Sequence, residues 1–349
     1  MRTPPARDGT PRPASATAPT RAVTSDLLQL PQASWRHVRT ERMQHILKVQ
    51  AAISRAVREH LDGAGFTELV PPILGPVTDP GIRGAKQASV DYYGHEYKIM
   101  SSAILYKQMM ATAMGKVYFF SPNVRFEPLE TATTGRHLVE FIQVDLEIPH
   151  GTYHDAMDTA EGLLQHVTKR VPETAGAHLE ALGVDLADLT DVTFPRLTHA
   201  EAVDTLQALG HAASPSAEIS WAHEKILSDH LGTPFFIHDY PKGSRGFYDM
   251  EDPERPGILR DFDMLYDGGF GEAVSGAERE HTYAKVVARM RETGEDPAKY
   301  GWYLDMLREG IAPSAGFGIG LERLTRYVCK LESILEARPY PKIAGVVSP

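Results

Sequence analysis

The chain has little cysteine, no long apolar run and no surplus of basic residues, and each shortage excludes a class of protein. Cys329 is the only cysteine in 349 residues, so a disulfide scaffold is excluded. No stretch approaches the roughly 18 apolar residues that span a bilayer, and no apolar segment near the N-terminus resembles a secretory signal. The 46 acidic residues outnumber the 36 basic ones, which disfavours broad contact with phosphate backbones. We therefore expect a cytoplasmic protein without a membrane partner.

The first 25 residues differ in composition from the rest of the chain. They contain five Pro, five Ala, five Thr and four Arg, with Asp8 as the only acid. Such a segment buries too little apolar surface to offset its conformational entropy. We predict a disordered tail over residues 1–30. A transit peptide is the alternative, although the prolines disfavour the amphipathic helix that it requires.

The periodicity of apolar residues predicts one α+β domain over residues 35–349. Helical spacing indicates an amphipathic helix over 37–62, and a segment rich in glycine and proline at 75–95 indicates a mobile loop over a site. Residues 153–230 are predicted to be a mostly helical insertion. Strand patterns occur at 66–70, 117–120, 141–148, 234–239, 246–250 and 261–266. Strands grouped around helices favour a mostly antiparallel sheet.

A polar hairpin around residues 121–140 carries the first group of candidate site residues. It places Arg125 on one strand and Phe141 on the next, so that both side chains can face one pocket. Arg125 offers a planar set of donors that suits phosphate or carboxylate. Phe141 offers a flat face for a purine, and Glu127 can accept from an exocyclic amine. Taken alone, the same residues also fit a hairpin with charged side chains in solvent.

A glycine-rich junction between a strand and a helix forms the second group. In residues 316–323, glycine alternates with apolar residues before Glu322 and Arg323. Glycine lets the backbone approach a ligand closely, and the start of a helix favours anions, which places Arg323 well for phosphate. Taken alone, alternating glycines more often serve tight packing of a strand against a helix.

Together and in this order, the two groups resemble motifs 2 and 3 of class II aminoacyl-tRNA synthetases. The helix at 37–62, followed by Pro72, resembles motif 1. The similarity is to the aspartyl/asparaginyl branch and covers roughly residues 38–345. It implies an α+β class II core, with a mixed and mostly antiparallel sheet flanked by helices. It also implies activation of a carboxylate by ATP.

The resemblance assigns roles in ATP binding by position. Arg125 matches the arginine that binds the α-phosphate and the carboxylate under attack. Arg323 matches the arginine that binds the distal phosphates of a bent ATP. These two are the predicted catalytic residues. Glu127 matches the residue that binds the adenine amine, His137 matches a γ-phosphate contact, and Phe141 matches the ring that stacks on adenine.

The resemblance also implies a magnesium site beside the phosphates. Glu272, which is thereby part of the ATP site, and Ser275 match magnesium ligands of the aspartyl branch. Asp263 is a further candidate ligand at a different spacing. Carboxylate and hydroxyl oxygens suit Mg²⁺, which would bridge phosphate oxygens.

The amino acid pocket is predicted to contain Lys107 and Arg279, which match residues that bind an acidic or amide side chain. Asp239 is a further candidate, with a turn-capping aspartate as the alternative. Two departures from the family concern the groups that hold the backbone of the amino acid. Ile104 stands where a glutamine usually helps to hold the amino acid backbone. The segment whose glutamate holds the α-amino group has only a loose equivalent near Asp79.

These departures, together with the expected absence of an anticodon-binding barrel, resemble the stand-alone asparagine synthetase-related paralogues. The expected function is an AMP-forming amide ligase. It would activate aspartate or a related amino acid as an acyl-adenylate, which ammonia or a small amine converts to asparagine or an analogue. ATP and Mg²⁺ are the expected cofactors, a homodimer is expected, and tRNA is not an expected partner.

Two alternatives stay open. The first is a truncated asparaginyl- or aspartyl-tRNA synthetase paralogue that acylates tRNA or another carrier. The second is a non-catalytic paralogue that serves as a binding module. The second predicts loss of the phosphate-binding arginines, whereas Arg125 and Arg323 are both present.

Overall fold

The computed structural model describes residues 25–80, 85–243 and 245–349. Most of the predicted tail, residues 1–24, and four residues of the predicted loop, 81–84, lie outside these ranges. The last part of the predicted tail is described and is ordered. It forms a short helix, and Leu28 and Leu30 pack against a small apolar cluster near the C-terminus.

The described residues contain α-helices and two β-sheets. The helices are α1 (Ser25–Gln29), α2 (Ser34–His37), α3 (Glu41–Gly63), α4 (Ile104–Met114), α5 (Tyr153–Leu182), α6 (His199–Ala208), α7 (Trp221–Leu231), α8 (Tyr283–Glu292), α9 (Gly301–Glu309) and α10 (Leu321–Val328). The strands are β1 (Thr67–Glu68), β2 (Leu74–Gly75), β3 (Ser89–Tyr92), β4 (His95–Ile99), β5 (Val117–Val124), β6 (Glu140–Pro149), β7 (Arg196–Thr198), β8 (Phe235–His238), β9 (Asp261–Tyr266), β10 (Gly271–Glu278) and β11 (Ser314–Gly320).

The main sheet has eight strands in the order β1-β5-β6-β11-β10-β9-β8-β7. The pairs from β5 to β8 are antiparallel, and only the two edge pairs, β1 with β5 and β7 with β8, are parallel. The predicted α+β class with a mixed, mostly antiparallel sheet is therefore confirmed. Strands β2, β4 and β3 form a second, small sheet.

Helices α3 and α5 cover one face of the main sheet and form the central core. The predicted spacing in α3 buries Met43, Ile46 and Val57 completely, and Thr40 caps the helix by accepting from the backbone of Met43. Helix α5 starts with a capping box and bends at Ala175. It shares the same apolar cluster as α3, so the first part of the predicted insertion belongs to the central core.

The alternation of side chains along β6 divides the core from the site. Val144, Leu146 and Ile148 face the core of α3 and α5. The intervening polar residues point to the opposite face, because successive side chains of a strand alternate. The part of the chain that the structure describes contains no helix long and apolar enough to cross a membrane.

Two predicted segments differ from the structure. Residues 246–250 are predicted as a strand but form a turn, in which Asp249 makes an isolated bridge to Arg279. Phe247 and Tyr248 are neighbours and both are buried, so the alternation that a strand requires is absent. Within the predicted loop at 75–95, the described residues include β3 and an end of β2, paired with β4 in the small sheet.

Candidate active site

A cavity of about 260 Å³ opens on the face of the main sheet opposite α3 and α5. It brings together most of the predicted site residues. These are Lys107, Arg125, Glu127, His137, Phe141, Glu272, Ser275, Arg279 and Arg323. Residues that are up to 216 positions apart in the chain therefore share one site.

The register between β5 and β6 places Arg125 and Phe141 on the same side of the sheet. Asn123 pairs with Phe141, and Arg125 follows two residues later on the same face. The Arg125 guanidinium lies 5.1 Å from the centre of the Phe141 ring, and its Nε donates to the Ser101 carbonyl at 3.1 Å. Burial raises the pKa of Glu127, although Arg125 acts in the opposite direction.

The glycines of β11 let the polar side chains of β6 lie flat across this strand. A β-carbon at Gly316 would overlap the carboxylate of Glu147, and one at Gly318 would overlap the amide of Gln143. Gly318 itself lines the cavity. The glycine pattern therefore serves close packing, and at Gly318 it also leaves the cavity wall without a side chain.

A β-bulge in β10 brings Glu272 and Ser275 to the same cavity wall. Residues three apart normally face opposite sides of a strand, but the pairing with β9 shifts between Glu272 and Val274. Glu272 pairs with Arg323 at 3.0 Å. A carboxylate and a hydroxyl fit Mg²⁺, which usually takes one or two carboxylates and completes its shell with phosphate and water. The described residues contain no cluster of three or more His, Cys, Asp or Glu that could hold a metal by itself.

The floor of the cavity is a buried network of charges below β6 and β11. Lys107 donates to Asp145 at 3.2 Å and lies 3.6 Å from Glu147. Arg279 donates to Glu147 and to Asp249, both at 3.2 Å. Each cation also donates to a main-chain carbonyl of β11, at 3.0 and 2.8 Å. Two cations thus contact three carboxylates, and these contacts fix the positions of the Lys107 and Arg279 side chains.

One carboxylate oxygen of Asp145 and one of Glu147 are the buried acceptors that this network leaves open. Asp145 is 1% exposed, yet its Oδ2 has no hydrogen-bond partner among the described residues. A buried acceptor without a donor is costly, which indicates a ligand donor. The motif comparison missed Asp145 and Glu147. A signal was present, because Gln143, Asp145 and Glu147 alternate with apolar residues along one strand.

Two predicted site residues, Asp239 and Asp263, do not line the cavity. Asp239 accepts from Tyr153 at 2.9 Å and from Arg255 at 2.5 Å, and it adopts a left-handed backbone with φ of 61°. It shapes a turn, which fits the alternative for this residue. Asp263 accepts from Arg245 through both oxygens, at 3.1 and 2.8 Å. A carboxylate held in this way by a guanidinium is unsuited to bind magnesium as well.

The cavity wall also contains residues from outside the recognised motifs, among them Arg136, Trp221 and Arg245. Trp221 comes from α7, which lies in the predicted insertion. Its ring contacts the Arg136 guanidinium, with 5.1 Å to the ring centre, and the His137 ring, with 5.1 Å between centres. No local sequence pattern marks Trp221, because its place in the site depends on contacts between distant segments.

We expect Asp249 to make the stability of the fold depend on pH. Burial raises its pKa to about 6, although Arg279 acts in the opposite direction. Because this pKa is raised, the folded chain binds the proton more tightly than the unfolded chain does. The resulting stabilisation is full below the pKa of the carboxyl in the unfolded chain, and it is lost as the pH rises through 6. The free energy of unfolding of wild type relative to Asp249→Asn should therefore fall by about 2 kcal/mol between pH 4 and pH 7. Urea unfolding of both proteins at each pH measures this. A constant difference between the two proteins contradicts it.

Comparison with known proteins establishes the family. Residues 28–344 match the family described as tRNA synthetases class II (D, K and N). This chain belongs to that family. The asparagine–tRNA ligase of Thermococcus gammatolerans is 34% identical over 315 residues, which cover 90% of this chain and 72% of that protein. The corresponding ligase of Pyrococcus horikoshii is 35% identical, over 90% of this chain and 71% of that protein.

Solved structures agree with this class II membership. Asparaginyl-tRNA synthetase from P. horikoshii, complexed with asparaginyl-adenylate, superposes with a TM-score of 0.86 at 34% identity, over 92% of this chain and 73% of that chain. The enzyme from Entamoeba histolytica superposes with a TM-score of 0.83 at 24% identity, over 95% of this chain and 74% of that chain, and supports the fold alone.

The class II core and an ATP-dependent ligase, both expected from the sequence, are therefore confirmed. The narrower resemblance to stand-alone asparagine synthetase paralogues is not confirmed, because the relatives described above are asparagine–tRNA ligases. For the same reason, these class II relatives give no support to the expectation that tRNA is not a partner. The cytoplasmic location and the homodimer stay predictions.

Proposed function

We propose that the protein activates asparagine with ATP as an aminoacyl-adenylate and transfers the acyl group to a tRNA or another carrier. The observation that carries this proposal is the convergence of Arg125 and Arg323 on one cavity, with Glu127 and Phe141 beside them. The amino acid is inferred from the P. horikoshii relative, whose structure contains asparaginyl-adenylate. The open oxygen of Asp145 supports the same choice.

The chemistry of activation explains the need for fixed cations. A carboxylate oxygen attacks the α-phosphorus, the bond to the β-phosphate oxygen breaks, and pyrophosphate leaves. Two anions must therefore meet, and negative charge builds on the leaving oxygens. Arg125 and Arg323, held at fixed positions in the cavity, stabilise this charge without rearranging. They also hold the reactants in line. The attacking carboxylate is already ionised, so no general base is required for this step.

Glu272 and Ser275 would hold magnesium at the phosphate end of the site. Bound there, the ion neutralises charge on phosphate oxygens. The chain's own contribution is to place these two ligands on one wall through the bulge in β10. Arg323, which pairs with Glu272 at 3.0 Å, stays within reach of the same phosphates.

The charge of the cavity floor favours an amide over a carboxylate side chain. Lys107 and Arg279 are already paired with three carboxylates, so a further carboxylate finds no spare cation there. An amide brings both a carbonyl, which can accept from Arg279, and an NH₂ group, which can donate to the open oxygen of Asp145. Asparagine satisfies both sides of this network.

Pyrophosphate exchange with a panel of amino acids tests the activation step. With ATP, Mg²⁺ and labelled pyrophosphate, asparagine should support exchange at least about tenfold faster than aspartate, the effect of one unpaired buried polar group. In a second assay, adenylated asparagine should acylate added tRNA. The absence of exchange with every amino acid tested would contradict the activation proposal. Exchange with asparagine but no acylation of tRNA would mean that the acyl acceptor is another carrier.

Amide formation with ammonia is the second candidate, and the loop between β5 and β6 favours it. In the family this loop contacts the acceptor end of tRNA. Here its Arg136 turns inward, pairs with Glu224 at 3.4 Å and lies over Trp221. Glu130 is the charged residue at the outer end of the loop and is exposed. Phosphate recognition depends on basic side chains, so this loop is better suited to a small acceptor.

This candidate makes a different prediction for the substrate. Aspartate would bind turned around, with its β-carboxylate at Arg125 and its α-carboxylate at Arg279. The nitrogen of ammonia would attack the acyl carbon, AMP would leave, and the extra proton would pass to solvent. Exchange that is supported by aspartate alone, with asparagine formed from ammonium in the absence of tRNA, would establish this candidate in place of the first.

The homodimer expected from motif 1 also finds support at the surface. Val70 and Ile73 flank Pro71 and Pro72 after β1, and they are 94% and 61% exposed. Large apolar side chains that are exposed in this way form a surface that a second copy of this chain would cover.

A further inference from the structure

The charge of the chain is divided unevenly along its length. Residues 1–58 contain ten Lys and Arg against three Asp and Glu, whereas residues 59–349 contain 26 against 43. The net charge of -10 therefore conceals a basic N-terminal segment ahead of an acidic remainder. Such a segment is typical of contact with a polyanion. Neither the motif resemblance nor the proposed function assigns a role to its basic side chains.

Six Lys and Arg lie in the described part of this segment, and carboxylates neutralise two of them. Arg42 pairs with Glu336 at 3.1 Å, and Arg58 pairs with Glu68 at 2.8 Å. Glu41 adds one exposed acid at the start of α3. The other four cations are exposed and make no ion pair among the described residues. They are Arg36, Arg39, Lys48 and Arg55.

Trp35 adds an aromatic ring to these cations, at the end of the row where α2 lies. Its side chain is 51% exposed, and the guanidinium groups of Arg36 and Arg39 lie 4.6 and 5.8 Å from the ring centre. The neighbouring Ser34 is buried, so α2 is held against the rest of the fold. We call Trp35 and the four unpaired cations the basic surface. It combines charge with a stacking ring, which are the two contacts that single-stranded nucleic acid uses.

The basic surface is separate from the nucleotide cavity, because none of its residues is among the described residues that line the cavity. The two arginines between β5 and β6, Arg125 and Arg136, do line it. RNA bound to this chain therefore needs cations elsewhere for its phosphates. The exposed Val70 and Ile73 come after the C-terminal end of α3, so a second copy docked on them leaves α2 accessible.

We propose that the basic surface binds a single-stranded segment of RNA, with phosphates at the four cations and one base against Trp35. The choice of RNA among polyanions rests on the proposed function, whereas the surface itself lies outside the site of that function. Contacts of this kind read the phosphate chain and not the sequence of bases. The affinity should therefore fall as salt rises, with a slope of about 0.7 in log–log form for each phosphate contact to a single strand.

Fluorescence anisotropy with labelled oligouridine, titrated with the full chain over a range of NaCl concentrations, tests the cations. Arg36→Gln/Arg39→Gln removes two phosphate contacts. The slope should fall by about 1.4, and the dissociation constant at about 0.1 M salt should rise about 25-fold. Arg36→Lys/Arg39→Lys keeps the charge and should keep the slope. The matched control is Arg291→Gln/Lys299→Gln, because it removes two exposed cations near α8 and should keep the slope of wild type.

The ring makes a separate prediction in the same assay. Trp35→Ala should weaken binding at least about fivefold, the effect of losing one stacked base. Its salt slope should stay that of wild type, because no charge is removed. If Trp35→Ala does not fold, Trp35→Leu takes its place, because leucine keeps apolar contacts and cannot stack on a base.

The outcomes distinguish this inference from its alternatives and from the proposed function. Wild-type affinity in Arg36→Gln/Arg39→Gln overturns it, and so does an equal loss in the matched control, which would mean that only net charge matters. Sedimentation with vesicles of phosphatidylserine and phosphatidylcholine tests a membrane surface, and binding to vesicles but not to RNA overturns it as well. Pyrophosphate exchange should be unchanged in every variant. RNA binding without exchange leaves the basic surface standing and contradicts the proposed function, and exchange without RNA binding does the reverse.

Discussion

Replacing Arg125 by alanine is expected to slow ATP–pyrophosphate exchange about 1,000-fold, the upper range for removal of one fixed donor at a developing charge. Among the described residues, Arg125 makes no ion pair, and its Nε donates to a single main-chain carbonyl. Its guanidinium is thus available to a ligand, unlike those of Arg279 and Arg245. Exchange kinetics at saturating ATP and amino acid measure the effect on the chemical step.

The controls for Arg125 separate chemistry from folding. Arg125→Lys keeps the charge but loses the planar set of donors, so its exchange rate should lie between those of wild type and Arg125→Ala. Both variants should unfold within a few degrees of wild type, because the side chain makes one hydrogen bond and one ring contact. An exchange rate for Arg125→Ala within about threefold of wild type would contradict the assigned role and favour a non-catalytic paralogue.

The elements predicted best are those with strong local patterns. The apolar spacing of α3 and the strand patterns of β5, β6 and β9 each match an observed element, with ends that differ by a few residues. The strand predicted at 246–250 failed because the neighbours Phe247 and Tyr248 both pack into one apolar cluster from a turn, which their residue types do not reveal. Tertiary contacts decide such short segments.

The site shows the same division between local and distant information. Arg125, Phe141 and Arg323 were predicted because motif residues keep a fixed order in the sequence. Trp221 was missed because its place depends on how distant segments pack.

The candidates that fall outside the cavity share one cause. The sequence does not tell which carboxylates already have a guanidinium partner. Asp239 is held by Arg255, and Asp263 is held by Arg245. Composition and motif spacing contain no information on such pairs.

Replacing Arg245 by methionine is expected to destabilise the fold by about 3–5 kcal/mol, the effect of leaving buried charges without a partner. Arg245 is 8% exposed and lies between three carboxylates, those of Glu218 at 2.9 Å, Asp261 at 3.5 Å and Asp263 at 2.8 Å. Its guanidinium also lies 3.9 Å from the centre of the Tyr240 ring. Urea unfolding measures the loss.

The pH dependence of this loss separates charge from packing. Burial raises the pKa of Asp261 well above its ordinary value, and Arg245 opposes this rise. Without Arg245 the pKa in the folded state rises further, so the lost stability returns as pH falls and the carboxylates take up protons. The gap between Arg245→Met and wild type should therefore shrink from pH 7 to pH 4. Adding Asp263→Asn to the variant should also recover part of the loss at pH 7. A gap that is the same at both pH values would mean that Arg245 stabilises the fold through its contact with Tyr240. It would also mean that repulsion among the three carboxylates contributes little when Arg245 is absent.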